Sequence, residues 1–326
     1  MSTSSRSKKM EYVRLGQSGL KVSRIILGMM TYGDRRWEGW VLGEEEGIAH
    51  VKAAYEMGIQ TFDTANMYSN GRSEEILGKA IKELHLPRDE IVVMTKVYGV
   101  VGRTADHAQH IFESVKHSLE RLQLDYVDVL QCHRFDSNTP IAETMRALHD
   151  VVQAGYARYI GMSSCYAYQF HAMQNYAITN KLTPFISMQN YYSLAYREEE
   201  REMMPTLKMF GVGSIPWAPL SRGYLTRPLS QQSTRESNDP LVQALNENTE
   251  PEIINRVEAI SKMKGVSMAQ VAIAWILTKD VVSAPIVGIT SLKNLEDIAG
   301  AINVKLTEEE VKQLEEPYKP QAIMGH

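Results

Sequence analysis

Eight short apolar runs, each followed by a segment with helical period, recur along nearly the whole chain, and this alternation restricts it to an α/β architecture with a parallel sheet. The strand-like runs lie near residues 24–28, 60–63, 91–96, 127–133, 159–163, 185–189, 213–217 and 283–288. Between them the spacing becomes helical. Ile111, Val115, Leu119 and Leu122 fall four, four and three residues apart, and Ile141, Met145, Leu148 and Val152 fall four, three and four apart. Such stripes turn one face of a helix toward a sheet.

Strand-helix units with right-handed crossovers close into a barrel or spread into an open, doubly wound sheet. An open dinucleotide-binding sheet would be expected to carry Gly-x-Gly-x-x-Gly after an early strand. Here the first run leads into Leu27-Gly28-Met29-Met30-Thr31-Tyr32-Gly33 instead. A (β/α)8 TIM barrel is therefore expected, and the 326 residues hold one comfortably, since such a barrel takes about 250. Residues 1–10 read as a flexible tail, with Arg6, Lys8 and Lys9 solvated in it, and residues 11–326 as a single barrel domain. Within that domain, residues 12–15 and 20–22 flank the turn Gly16-Gln17-Ser18-Gly19 as a hairpin, placed to plug the bottom of the barrel. The polar stretch 230–249 reads as an active-site segment or a disordered loop rather than a domain boundary. Thr307-Glu308-Glu309-Glu310 has capping-box spacing and opens an additional C-terminal helix that runs to about Glu316, before Pro317.

Lysine and arginine number 35 against 39 aspartates and glutamates, a formal charge of −4 with no long basic stripe, which implies neither nucleic acid nor an anionic membrane as partner. No apolar stretch is long enough to span a bilayer and no secretory leader is legible, so a cytoplasmic location is expected. Cys132 and Cys165, the two cysteines, lack metal-site spacing and read as reduced small hydrophobes.

Asp63, Tyr68, Lys96 and His133 each sit at or just past the carboxyl end of a strand-like run, where a barrel gathers side chains at one mouth. A lysine closing the run 91–96 is costly to bury without a carboxylate partner, and Asp63 is the natural candidate. Together the four suggest proton transfer to a carbonyl. Singly, each has an ordinary reading. Tyr68 is one of 16 tyrosines, Asp63 is a turn former, and His133 suits a satisfied position in a core.

Phe62-Asp63-Thr64-Ala65 with Tyr68, Gly71-x-Ser73-Glu74-x-x-Leu77-Gly78, Thr95-Lys96, the stretch from Asp128 to His133, Gly161-Met162-Ser163-Ser164 and Trp217-Ala218-Pro219-Leu220-Ser221-Arg222-Gly223 carry a resemblance that extends over nearly the whole chain. The sequence resembles the aldo-keto reductases, and among them the fungal aryl-alcohol dehydrogenase and versiconal hemiacetal acetate reductase group. The resemblance implies a barrel that binds NADPH, or NADH, without a Rossmann domain and passes hydride to an aldehyde or ketone. The residue chemistry agrees with that activity. A free phenol is a poor acid at neutral pH, and a nearby ammonium stabilises its phenolate. Tyr68 is then the general acid, Lys96 its activating cation, Asp63 the partner that keeps Lys96 charged, and His133 a donor that aligns the carbonyl oxygen.

The resemblance further assigns Ser163, Ser164 and Gln189 to the nicotinamide carboxamide and Trp217 to stacking on its ring, with Ser164 standing where asparagine is frequent. Leu220, Ser221, Arg222 and Gly223, with Pro219 beside them, fall to the pyrophosphate, and Gly288, Thr290, Ser291, Asn294 and Asp297 to the adenosine phosphate, where Arg227 is a further candidate. Helix capping and turn formation remain open alternatives for the serines and the glutamine. Thr290 and Asn294 occupy positions where the family often has arginine or lysine, which bears on the choice between NADPH and NADH. Tyr32, Trp37, Trp40 and Tyr98 lie in loops after the first and third runs, either as an aromatic wall for flat aldehydes or as packing for the loops. A different class of function is also open, a cofactor-binding regulatory subunit like the potassium-channel beta subunits, although only about ten residues precede the hairpin here. A metal-dependent barrel hydrolase would be expected to show a paired-histidine motif that is not legible in this chain.

Overall fold

The fold was taken from a computed structural model, which describes residues 10–98, 111–231, 242 and 247–326. Strands β1 (Tyr12–Arg14) and β2 (Lys21–Ser23) form the expected hairpin, pairing Tyr12 with Ser23 and Arg14 with Lys21. Eight further strands follow: β3 (Ile26–Gly28), β4 (Thr61–Asp63), β5 (Val92–Val97), β6 (Val127–Cys132), β7 (Ala157–Ser163), β8 (Phe185–Gln189), β9 (Gly213–Ser214) and β10 (Ile286–Val287). They are parallel and lie in the order β10-β3-β4-β5-β6-β7-β8-β9. Backbone bonds from Ser214 N to Val281 O at 2.9 Å, Ser283 N to Ser214 O at 2.8 Å and Ile286 N to Pro216 O at 2.9 Å join the two ends of that order. The architecture is that of a (β/α)8 barrel.

All eight expected runs lie at strands, and the regular ladder is shortest where proline intervenes. Pro216 has no N–H to give, so β9 stops at Ser214. The chain nevertheless stays beside β8, because Trp217 N donates to Asn190 O at 3.0 Å. Leu15, Val22, Ile26, Met94, Val129, Ile215, Ala284 and Ile286 pack as one buried cluster, which therefore joins the hairpin to the barrel strands. Leu15 and Val22 are almost fully buried, so the hairpin plugs the amino-terminal end of the barrel. Each such side chain contributes about 1.5–3 kcal/mol on burial.

The helices are α1 (Glu44–Glu56), α2 (Arg72–Glu83), α3 (Ile111–Leu122), α4 (Ile141–Gln153), α5 (Ala167–Thr179), α6 (Met203–Phe210), α7 (Pro251–Lys264), α8 (Met268–Ile276), α9 (Leu292–Gly300) and α10 (Glu308–Glu315). The stripes read in α3 and α4 bury Val115, Leu119 and Leu122, and Met145 and Leu148, respectively. The last helix starts on its capping box, with Glu310 N bonded to Thr307 Oγ1 at 3.2 Å and Thr307 N to Glu310 Oε2 at 2.7 Å. No helix among the described residues is long and apolar enough to cross a membrane. The basic tail expected at residues 6–9 and most of the polar stretch 230–249 lie outside the described residues.

Candidate active site

The carboxyl ends of β4, β5 and β6 bring together the side chains singled out by the sequence. Lys96 Nζ, fully buried, donates to Asp63 Oδ2 at 2.6 Å, to the carbonyl of Thr64 at 2.7 Å and to the Tyr68 hydroxyl at 3.1 Å. Burial by itself would depress this ammonium, but Asp63 and the Tyr68 oxygen more than offset it and hold Lys96 above its ordinary value. The Asp63 carboxylate is saturated by fixed donors. Its Oδ1 accepts from both Gln131 Nε2 and Gln189 Nε2, each at 2.9 Å. A buried ion pair persists only when its remaining lone pairs are satisfied in this way.

Tyr68 is carried by a turn of unusual backbone. Ser69, Asn70 and Gly71 follow it with φ of 48°, 53° and 91°. Gly71 meets this need without a Cβ, and a Cβ there would lie 2.6 Å from Arg121 Cδ. Arg121 is itself held by Glu74, Nε to Oε2 at 2.7 Å, and Glu74 also accepts from Thr95 Oγ1 at 2.6 Å. The Gly71-x-Ser73-Glu74 segment thus acts as a bracket that joins α2 to β5 behind Tyr68. His133 stacks edge-on against Tyr68, ring centroids 5.7 Å apart at 84°. Burial first, then the charges of Lys96 and Arg134, hold this imidazole well below its ordinary pKa, so it is neutral at physiological pH and offers a single N–H. Its Nδ1 is buried and has no hydrogen-bond partner among the described residues.

These groups open onto a cavity of about 1130 Å³, larger than the roughly 300–1,000 Å³ typical of a pocket for one small molecule. From Tyr68 and His133 it runs past Trp217 and the loop 219–223 to Gly288 and the start of α9. The arrangement offers a proton at Tyr68, a hydrogen bond at His133, and beside them a trough long enough for an extended ligand.

The sequence pattern of the aldo/keto reductase family matches residues 24–319. Versiconal hemiacetal acetate reductase of Aspergillus parasiticus is 49% identical, with 96% of this chain and 98% of the relative covered. An aldo-keto reductase of Alternaria alternata is 45% identical over 97% and 93% of the two chains. A Saccharomyces cerevisiae protein provisionally named an aryl-alcohol dehydrogenase is 44% identical over 95% and 97%. The chain belongs to the aldo/keto reductase family.

In this aldo/keto reductase the residues expected at the cofactor divide into those that face the cavity and those that support it. Ser163, Gln189, Trp217, Pro219, Leu220, Arg222, Gly223, Arg227, Gly288, Thr290, Asn294 and Asp297 line it. Gly223 has φ 98°, a conformation that glycine adopts freely, in a loop where Ser221 and Arg222 are also left-handed. Three serines hold the surroundings instead. Ser164 Oγ accepts from Trp217 Nε1 at 3.0 Å, Ser221 Oγ bonds Tyr191 OH at 2.8 Å, and Ser291 caps α9 through Asn294 N at 3.2 Å. Ser163 Oγ also donates to Gln189 O at 2.6 Å, and Asp297 Oδ2 accepts from Ser267 Oγ at 2.6 Å. Tyr191 stacks on Trp217, centroids 4.8 Å apart, and so backs one face of the indole.

Of the four aromatics read either as a wall for a substrate or as packing for the loops, two line the cavity. Trp37 and Trp40 line the cavity, with Trp37 6.4 Å from the Tyr68 ring. Tyr32 does not line it. Its side chain packs into the core against α1, with its hydroxyl 3.2 Å from His50 Nδ1, because Gly47 leaves room for the ring. Tyr98 is 46% exposed at the end of β5 and does not line the cavity either. Sequence reading missed Gln131, which donates to Asp63, and also Met67 and Arg134, which line the cavity with Tyr68 and His133, and Met324 and Gly325, which reach it beside Trp217.

Proposed function

We propose that the protein reduces aldehydes or ketones to alcohols, reversibly, with NADPH as the hydride source and Tyr68 as the general acid. The observation that carries this reading is the fully buried Lys96, placed between Asp63 and the Tyr68 hydroxyl at the wall of the cavity. When bound, the nicotinamide cofactor supplies the hydride chemistry. The chain fits such a group, since the cavity has the volume for a dinucleotide plus a substrate and is lined at the loop 219–227 by Arg222 and Arg227. As negative charge develops on the substrate oxygen, Tyr68 gives up its proton and Lys96 stabilises the phenolate left behind. Asp63 keeps Lys96 charged. Neutral His133 donates to the same oxygen and fixes its direction. Trp37 and Trp40 suit a flat, aromatic carbonyl compound, in keeping with the printed names of relatives such as the Saccharomyces cerevisiae protein. The first turn of α9 presents backbone donors toward an adenosine phosphate, yet Thr290 and Asn294 bring no cation, so NADPH is preferred over NADH by less than an arginine there would give. A purely regulatory role does not require a complete proton-transfer group, and that favours the enzyme.

The reading is tested by following NADPH oxidation over a panel of aromatic and aliphatic aldehydes with wild type and Tyr68→Phe. Tyr68→Phe is expected to lower kcat by about 10²–10⁴-fold while the dissociation constant for NADPH stays near wild type. Turnover at the wild-type rate by the variant would remove Tyr68 from the acid role.

A further inference from the structure

Arg134 lines the reacting end of the cavity together with Tyr68, His133, Met67, Trp37 and Trp40. One of its nitrogens is spent on the backbone, NH1 to His133 O at 2.6 Å. Among the described residues no acidic side chain lies within ion-pair distance of it. The acidic groups on the cavity wall are disposed elsewhere: Asp63 is committed to Lys96, Asp297 receives Ser267 at the far end, and Glu38 sits on the loop of Trp37. Burial pulls the Arg134 guanidinium down from its ordinary value, with the oxygens of Tyr68 and Tyr98 opposing. The Arg134 side chain is part of the cavity lining, so the guanidinium belongs to the wall of the cavity.

A part-buried cation with no counter-ion among the described residues is costly, and a neutral aromatic aldehyde does nothing to relieve it. A carboxylate does, because the guanidinium fork matches it with two parallel, charge-assisted bonds. We propose that Arg134 is a specificity-determining residue that selects carbonyl substrates bearing a carboxylate, whose ring lies against Trp37 and Trp40 while its carbonyl oxygen meets Tyr68 and His133. This inference rests on the carbonyl-reductase reading above and adds the class of substrate.

The experiment compares kcat/KM for 3- and 4-carboxybenzaldehyde with their methyl esters, in wild type, Arg134→Met and Arg134→Lys. Forming the pair with one of the two acids is expected to favour that acid over its ester by about 10–100-fold in wild type. Arg134→Met should bring the ratio to about one or below, and Arg134→Lys should keep part of the preference. A ratio is used because any general loss from disturbing His133 cancels in it. Benzoate binding supplies a reading that needs no variant: it should inhibit reduction of the ester competitively in the wild-type enzyme, and benzamide should do so much less. Esters and acids reduced equally well, an unchanged ratio in Arg134→Met, or no competition by benzoate would each overturn the assignment while leaving the reductase reading intact. Failure to reduce any of the four aldehydes would overturn both.

Discussion

Gln189 on β8 donates its Nε2 to Asp63 Oδ1 on β4 at 2.9 Å, a bond that crosses the barrel mouth between residues 126 positions apart. The same nitrogen reaches Gln131 Oε1 at 3.0 Å, and Gln131 Nε2 returns to Asp63 Oδ1. The wall expected to face the nicotinamide is therefore continuous with the Asp63-Lys96-Tyr68 group through two buried amides.

Gln131 is the member of this ring without an expected contact to cofactor or substrate, which makes it the cleanest probe. Gln131→Leu removes one donor from a buried carboxylate and leaves the Gln189 amide misaligned. A hydrogen bond to a charged group is worth about 1.5–3 kcal/mol, so stability should fall by that order, with kcat reduced and KM for the aldehyde little changed. Denaturant unfolding and steady-state kinetics on one preparation check both parts. Wild-type values in both would mean that the ring has no role in holding Asp63.

His133 carries a pH prediction. Its folded-state pKa lies below the ordinary 6.5 because burial, Lys96 and Arg134 all disfavour the imidazolium. Below about pH 6.5 the unfolded chain thus binds a proton that the folded one does not, and stability falls as pH drops through that range. His133→Asn should remove part of this slope, so the gap in thermal midpoint between wild type and variant should narrow or reverse from pH 7 to pH 5. A gap independent of pH would show that His133 protonates freely in the folded protein.

The strand ends were legible because charged and aromatic residues punctuate apolar runs there, and the helical stripes of α3 and α4 because an amphipathic period survives in sequence. What stayed hidden is instructive in physical terms. Gln131 lies within β6 and carries no charge to betray its burial. Alternation supplies the missing signal: Val129, Gln131 and His133 occupy every second position, so a residue two before His133 faces the same side. Tyr32 went the other way. It comes one short turn, Met29–Thr31, after β3, where a mouth residue is expected, but whether a loop aromatic turns to the cavity or to a helix depends on the space left by Gly47, 15 residues along the chain. The cap made by Ser291 was one of two open readings, and the support given by Ser164 and Ser221 could not be told from ligand contact, because a serine reads the same whether it bonds a ligand or its own backbone.

Glu199, outside the proposed chemistry, offers a test of buried charge. Burial, aided by Glu198 and opposed by Asn190, raises its carboxyl from 4.5 to about 7. Its neighbour His326, 3.8 Å away, is held below its ordinary value by burial, so a neutral imidazole faces a carboxyl that is only partly ionised near neutrality, and the two do not form a full ion pair. A raised carboxyl binds its proton more tightly in the folded state, so its contribution is fully present below about pH 4.5 and is lost as pH rises through 7. Glu199→Gln should therefore be more stable than wild type at pH 8, by something on the order of 2–3 kcal/mol, and about equal to it below pH 4.5. An advantage that grows toward low pH would contradict the assignment.

The adenosine-phosphate end makes the last prediction. Asn294 and Thr290 line the cavity at the start of α9, whose N-cap Ser291 already uses its hydroxyl on Asn294 N. The backbone donors of this helix start favour any phosphate. They do not distinguish strongly between the two dinucleotides, because the added 2′-phosphate needs a cation to meet it. Asn294→Arg places a bidentate donor there and should tighten NADPH by about tenfold or more while leaving NADH nearly unchanged, since only the former carries the extra group. Titration of each cofactor into wild type and variant, followed by quenching of protein fluorescence, measures the four constants independently of turnover. Equal changes for NADPH and NADH would mean that α9 does not face the adenosine phosphate, and the assignments at Gly288, Thr290, Asn294 and Asp297 would have to move elsewhere along the cavity.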